Sequence, residues 1–511
     1  MLLAQIYKKC GFLPNLRPDM KRVLLLALSV LAVCSCAGNK NNTQNIELHS
    51  EADLAGLRVA APAGTSYELG LSSRNDIDLQ TFNSESDVLQ ALINGKVDVI
   101  VNDEVVYNSV IRKDNGIKIA MLGEETFPTG FMFRKEDRDL AQAMDAVQQR
   151  MVVDGSMQSL KEFWLTDVYA EVGEYVHIPD ESTGKPLRVA TCSMSAPLAF
   201  QVNGDWYGLE IDILRQLGNA LNRPLEIKAY EPASGILAVK TGQADVLCGC
   251  IFITPERKQE FIFSEPYHYY RPAYFVVDNE ATFDHDGSLL AWMKNSIRRN
   301  LIAEGRWKYI TNGLLKTIKI TLLSILFGSL MGAVIYNMSR SRRKWMRSFA
   351  HIYNNFIDGI PDLVLLLIMF YVVFAGTGIS SDAVAIISFA MFFAASACGI
   401  YRSSLDAVPP GQMQAGLALG FTRTQSFMHI VLPQALRHGL PLFKAQCITL
   451  LKGTAIVGYI AIQDLTRAGD MIRSRTFDAL IPLLVVTVLY FLLAWLLGLL
   501  LNLASSKIKV L

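Results

Sequence analysis

The chain carries almost no net charge: 48 lysines and arginines stand against 47 aspartates and glutamates, leaving +1. That balance supplies no basic field for a nucleic acid, and none is expected as a partner. Charged residues are scarce altogether, at 19% against 51% hydrophobic, and the scarcity is uneven. Up to about residue 310 polar and apolar residues alternate as in soluble α/β proteins. Beyond it come apolar runs of about 17 to 23 residues, long enough to cross a bilayer. A phosphate-cradling G-x-x-x-x-G-K-[ST] loop is missing, so any ATP chemistry has to come from a partner chain. The eight cysteines show no metal-ligand spacing, and no grouping of serine, histidine and acid suggests a catalytic triad. An enzyme is not expected, nor a cofactor or metal. With 511 residues the chain exceeds one compact core, and two or three units are expected.

The first unit is an export signal over residues 1–36. Met20-Lys21-Arg22 precedes an apolar run to Val33 and then Ser35-Cys36-Ala37-Gly38. Met20 is the natural start. A small residue before a cysteine resembles the processing site of bacterial lipoproteins, which makes Cys36 the expected lipidation site; a retained anchor or ordinary cleavage is the alternative. Residues 37–53 read as a polar tether.

Two runs of short apolar strands and amphipathic helices follow, the pattern of a mostly parallel sheet. The first begins with LRVAA at Leu57 and passes through DLQTF and VDVIV; the second begins with LRVAT at Leu187 and runs to Phe275. Helices are expected over 137–152 and 156–166. Cys192, Cys248 and Cys250 sit at strand ends, where a disulfide is conceivable outside the cytoplasm.

Several stretches resemble the periplasmic binding proteins of polar amino-acid importers: GTSYE (64–68), NGKVDVIVNDE (94–104), DGSMQSLKEFW (154–164), GLEIDI (208–213), TGQADVLCG (241–249) and ITPERKQEFIFSEPY (253–267). The resemblance covers nearly all of 54–278 and implies a two-lobed α/β domain. In that family the chain starts in lobe one, crosses to lobe two and returns. Here lobe two and the returning helices come first (54–168), then a linker (169–185), then lobe one (186–280). The order looks circularly permuted, which neighbouring termini permit. Two separate half-domains are the alternative.

The same resemblance implies an amino-acid site. A zwitterion leaving water needs both charges matched. Arg257 stands where the family's arginine clamps the α-carboxylate, Thr65 and Ser66 add backbone N–H groups, Asp103 receives the α-ammonium, and Gly249 and Cys250 present backbone groups. Taken singly, Arg257 also suits a surface ion pair, Thr65 a helix cap and Asp103 an N-cap. Cys192, Met194 and Ser195 offer no acid or aromatic for a basic or aromatic side chain. Trp206 and Tyr207 suit the core.

An amphipathic connector (281–313) leads into a membrane region (314–505), with spans read at 316–338, 359–377, 383–402, 438–461 and 480–503. The basic loop Ser339–Arg347 places the end of the first span in the cytoplasm, so residues 37–313 lie outside it, in a multi-pass protein of the bacterial inner membrane in contact with lipids. Arg467, Arg473 and Arg475 in an external loop run against that rule. Residues 411–433, GQMQAGLALGFTRTQSFMHIVLP, resemble the EAA loop of ATP-binding-cassette importer permeases. Ala415, Gly420, Ile430, Leu432 and Pro433 keep its pattern, while Gln414 and Gly416 replace the usual acid and alanine. IDGIPDLVLLLIMFYVVF (357–374) and the stretch through residue 466 resemble the polar amino-acid branch. The resemblance implies an amino-acid permease fused to its binding domain, an ATP-binding partner subunit, and a homodimer of membrane domains. The rivals are a ligand-gated channel, whose TVGYG-type filter does not occur, and a receptor with a cytoplasmic signalling region.

Overall fold

The computed structural model describes residues 46–63, 65–82, 85–104, 116–124, 126–165, 178–179, 182–192, 197–202, 204–278, 289–476 and 478–508. The signal segment with Cys36, most of the tether, most of the linker and the Met194 and Ser195 positions lie outside them.

The first run supplies β1 (Arg58–Pro62), β2 (Asp78–Phe82), β3 (Val99–Asp103), β4 (Ile117–Leu122), β5 (Phe127–Thr129) and β6 (Met132–Arg134). The second supplies β7 (Leu187–Thr191), β8 (Phe200–Val202), β9 (Asp205–Tyr207), β10 (Leu225–Ala229), β11 (Val246–Cys248), β12 (Phe261–Phe263), β13 (His268–Tyr270) and β14 (Pro272–Val277). Ten of these fourteen strands form two five-stranded sheets, β2-β1-β3-β14-β4 in lobe two and β10-β7-β11-β6-β12 in lobe one, while β5 pairs with β13 and β8 with β9. The central strands β1, β3 and β7 are almost continuously buried, as strands of a covered parallel sheet are.

The two sheets have the same plan. Three parallel strands are followed by one antiparallel strand borrowed from the other run: β14 lies between β3 and β4, and β6 between β11 and β12. The lobes are therefore not two consecutive segments. The chain crosses between them twice, and the crossings pair antiparallel as β5 with β13. The helices Arg138–Val153 and Ser156–Leu165 accompany β6 to lobe one, where Trp164 Nε1 donates to Asp212 Oδ2 at 2.8 Å on the helix Leu209–Leu221.

Among the described residues, four helices are long and apolar enough to span a membrane: Trp307–Ser339, Ser381–Asp406, Arg423–Ile460 and Leu480–Leu503. The span expected over 359–377 falls on the helix Asp362–Val373, which follows Lys344–Asp358 across a break bent by 108°, and the two make a fifth span only if taken together. Pro361 causes the break: it lacks an N–H and pushes Ile360 out of helical conformation. The first and third of the expected spans pack most closely. A Cβ on Gly332 would stand 2.8 Å from Ala397 Cβ and 2.9 Å from the Ala394 carbonyl, and one on Gly328 would stand 2.7 Å from Phe393 Cβ. Small residues four apart let these backbones touch.

Candidate functional site

Asp103 closes β3, and Gly249 and Cys250 follow β11, so both lie at carboxyl ends of parallel strands, where α/β sheets receive ligands. They meet across the two lobes. Tyr67, on the helix Ser66–Ser72 of lobe two, donates its hydroxyl to Asp103 Oδ1. Its ring stands edge-on to Phe252 of lobe one, with centroids 5.2 Å apart, and Phe127 stacks on the other side at 5.5 Å. These contacts hold the lobes together.

Asp103 is 5% exposed, and burial pushes its carboxyl up to about 6. The neighbouring Glu210 adds to the rise. Glu210 is wholly buried; its Oε1 accepts from the Cys250 backbone N–H at 2.9 Å and from the Tyr267 hydroxyl, while Oε2 has no partner among the described residues. Burial pushes its carboxyl above the ordinary carboxylate range as well. The backbone groups expected to face a ligand at Gly249 and Cys250 are therefore engaged by Glu210. Cys250 takes φ 57°, which turns its N–H inward.

Arg257 lies on the short helix Pro255–Glu260, whose cap is Thr254. Its Nη1 donates to the Phe252 carbonyl at 3.1 Å, and desolvation lowers its pKa, opposed by the nearby Cys192 and Cys250. It is half-buried and near enough to Cys192 and Cys250 to feel their charge. Thr65 takes the capping role: its Oγ1 accepts from Glu68 N at 3.4 Å and donates to the Pro62 carbonyl at 2.6 Å. Ser66 Oγ is buried without a partner among the described residues. Cys192, Cys248 and Cys250 are free thiols, not a disulfide, and Trp206 belongs to the core. Sequence reasoning did not assign Glu210, Tyr67 or Tyr267, although each lies inside a quoted motif: GLEIDI, GTSYE and FSEPY.

At the other end of the molecule, Gly411–Ala418 forms a short helix and a second begins at Arg423. Gly420 joins them at φ 86°, and Thr422 with Gln425 closes a capping box. Gly416 is buried because a side chain there would meet Ser426 Oγ at 2.6 Å and Ile430 Cδ1 at 2.8 Å. Gln414 and Ala415 are exposed; Ile430, Leu432 and Pro433 are half-buried. Leu417, Leu419, Phe421 and Met428 stand out of the surface at 40%, 76%, 40% and 51% exposure. An apolar patch of that kind marks a docking surface.

A two-lobed α/β unit with buried acids where its lobes meet, joined to membrane helices with such a loop, has the plan of a transport protein carrying its own binding domain. Residues 187–317 match the family of bacterial extracellular solute-binding proteins, family 3, and residues 324–510 match the binding-protein-dependent transport system inner membrane component. The L-cystine transport system permease protein TcyB of Bacillus subtilis (strain 168) is 30% identical over 203 residues, covering 39% of this chain and 86% of that protein. The glutamate/aspartate import permease protein GltK of Escherichia coli O6:H1 is 33% identical over 196 residues, 36% of this chain and 87% of that protein. A putative glutamine transport system permease protein, GlnP of Rickettsia felis, is 25% identical over 40% of this chain and 94% of that protein. The chain belongs to the binding-protein-dependent inner-membrane permeases, as a multi-pass membrane protein fused to a solute-binding domain. The channel reading is not favoured by these matches.

Proposed function

We propose that the chain is the membrane subunit of an ATP-driven amino-acid importer whose binding domain is one permuted two-lobed unit outside the cytoplasm. The observation that carries this reading is the pairing, within one chain, of a permease of the amino-acid branch with a cleft that holds two buried acids, Asp103 and Glu210, and an arginine, Arg257, beside Cys250. The exchange of β6 and β14 between the sheets supports a single permuted domain over two independent halves, because each lobe is incomplete without the other run.

In this reading Asp103 takes the ligand ammonium and Arg257 its carboxylate, with Thr65, Ser66, Gly249 and Cys250 lining the site. Amino acid closes the lobes over it. A separate ATP-binding subunit grips the loop 411–433 at Gln414, Ala415, Gly416, Gly420, Ile430, Leu432 and Pro433, and its ATP cycle switches the pathway. Two copies of the membrane domain enclose that pathway. The signal segment exports residues 37–313, and Cys36 anchors them by a lipid. The relatives' names specify different amino acids, so the cleft, not the permease, has to select the cargo.

The test is a thermal-shift screen of the purified full-length chain against the twenty standard amino acids. A true ligand at one hundred times its dissociation constant stabilises the folded domain by about 2.7 kcal/mol. Stabilisation by one or a few supports the reading; none in the set moves the cargo to another class.

A further inference from the structure

The helix Leu465–Thr476 lies in the external loop after the fourth span and breaks the charge rule that orients the rest of the chain, carrying Arg467 and Arg473 outside. Both arginines face the binding domain, and they face different lobes. Arg467 pairs with Glu231, at the start of the lobe-one helix Pro232–Lys240. Arg473 Nη1 lies 2.7 Å from Asp87 Oδ1, on the lobe-two helix Glu85–Ile93. Asp470 stands between them, 3.0 Å from Arg473. Arg467 and Arg473 are only 12% and 16% exposed.

The two lobes are not held alike. Lobe one is fastened to several membrane elements besides Arg467: Gln243 Nε2 donates to the Phe370 and Phe374 carbonyls at 3.1 and 3.2 Å, Tyr371 donates to the Ser234 carbonyl at 3.3 Å, and Tyr309 donates to the Gln201 carbonyl at 3.0 Å. Its core residues Tyr230 and Ala238 share one apolar cluster with Met369, Phe370 and Tyr371. Among the described residues, lobe two meets the membrane part through the helix Glu85–Ile93, which packs on Leu465–Thr476 and pairs Asp87 with Arg473, and it is joined to lobe one through the β5–β13 crossing.

Resting on the functional reading above, we propose that the helix Leu465–Thr476 reads the closure of the binding domain: lobe one is a fixed base, and Arg473 latches Asp87 when lobe two swings shut. The pair is made here with the lobes in contact at Tyr67 and Phe252. Rotation of lobe two about the β5–β13 crossing carries Asp87 away and returns Arg473 to Asp470 alone. By linkage, a latch that forms in the closed state raises ligand affinity, and ligand strengthens the latch by the same factor.

Full-length protein in nanodiscs carries the test. With the amino acids that stabilise the wild type, Arg473→Glu and Asp87→Arg should each weaken binding about tenfold, and the double exchange Arg473→Glu/Asp87→Arg should restore most of it. Arg467→Glu should leave affinity unchanged, because its pair is made in both states. Unchanged affinity in Arg473→Glu, or an equal loss in Arg467→Glu, overturns the proposal. A second readout needs no ligand: a short bis-maleimide should join Asp87→Cys/Arg473→Cys more slowly than Glu231→Cys/Arg467→Cys, and equal rates overturn the latch. If no amino acid binds the wild type, the cargo reading fails, while this second comparison still decides the latch.

Discussion

Asp103 and Glu210 are two acids buried within reach of each other's charge, and among the described residues their hydrogen bonds come from tyrosine hydroxyls and backbone or thiol groups rather than from a cation. Such a pair is costly until something positive arrives. Asp103 holds its proton up to about pH 6 in the folded state against an ordinary 3.8, so its contribution to stability is present at low pH and fades as pH rises between those values. His268 does the reverse: burial lowers it from 6.5 to about 4, and its contribution fades as pH falls through that window. The two oppose each other, but Glu210, raised by the same burial, adds to the Asp103 side, so the melting temperature of the ligand-free chain should fall as pH rises from 4 to 6. Ligand affinity should not be so insulated. It should fall as pH drops below about 6, because a protonated Asp103 cannot hold an ammonium, and calorimetric titration at pH 5 and 7.5 measures this. Asp103→Asn should lose about 3 kcal/mol of binding at pH 7.5 and with it the pH dependence. Arg257→Ala should weaken binding similarly at both pH values, and an unchanged affinity would remove it from the carboxylate site.

Among the elements, the helices expected at 137–152 and 156–166 fall at Arg138–Val153 and Ser156–Leu165, because their apolar spacing and polar flanks are local properties. The destination of β6 was not legible. MFR is three residues long, too short for an alternation to show, and its sheet is set by strands from the other run. The break before Pro361 was written in the sequence, yet the apolar composition around it reads as one span. The motifs put Asp103, Gly249 and Cys250 at strand ends, while the engagement of Gly249 and Cys250 by Glu210 depends on a side chain forty residues from Cys250. The external arginines show the same limit, since their partners lie 236 and 386 residues away in the chain. The 411–433 loop was the most legible element, because its spacing is its structure. Gly416→Leu has no room beside Ser426 and Ile430 and should misplace the short helix. The variant should insert normally yet retain its ATP-binding subunit about thirtyfold less tightly, as expected for loss of roughly 2 kcal/mol at an interface centre. Co-purification of the subunit with wild type and variant checks this.

For the whole molecule, the membrane part is open on the side of its last two spans. Only 28% of the apolar window in Arg423–Ile460 and 11% of that in Leu480–Leu503 is buried inside the chain, against 56% in Ser381–Asp406. Low burial alone suits lipid, but Lys452 does not. It is exposed in the last turn of the helix Leu432–Gly453, inside an apolar span, and a lysine facing hydrocarbon costs up to about 2.5 to 3.5 kcal/mol at the bilayer centre. In the proposed dimer, water in a pathway between two copies would remove that cost, with the exposed face of this helix toward the partner copy. Mass photometry of the full-length chain in nanodiscs should therefore give a particle with two copies and two binding domains. Lys452→Leu should keep that stoichiometry and its insertion while lowering amino-acid uptake into proteoliposomes at least about tenfold, the scale of one lost charge contact of roughly 1.4 kcal/mol. A single-copy particle, or a Lys452→Leu protein with unchanged uptake, would place this face against lipid and leave the pathway to be formed elsewhere.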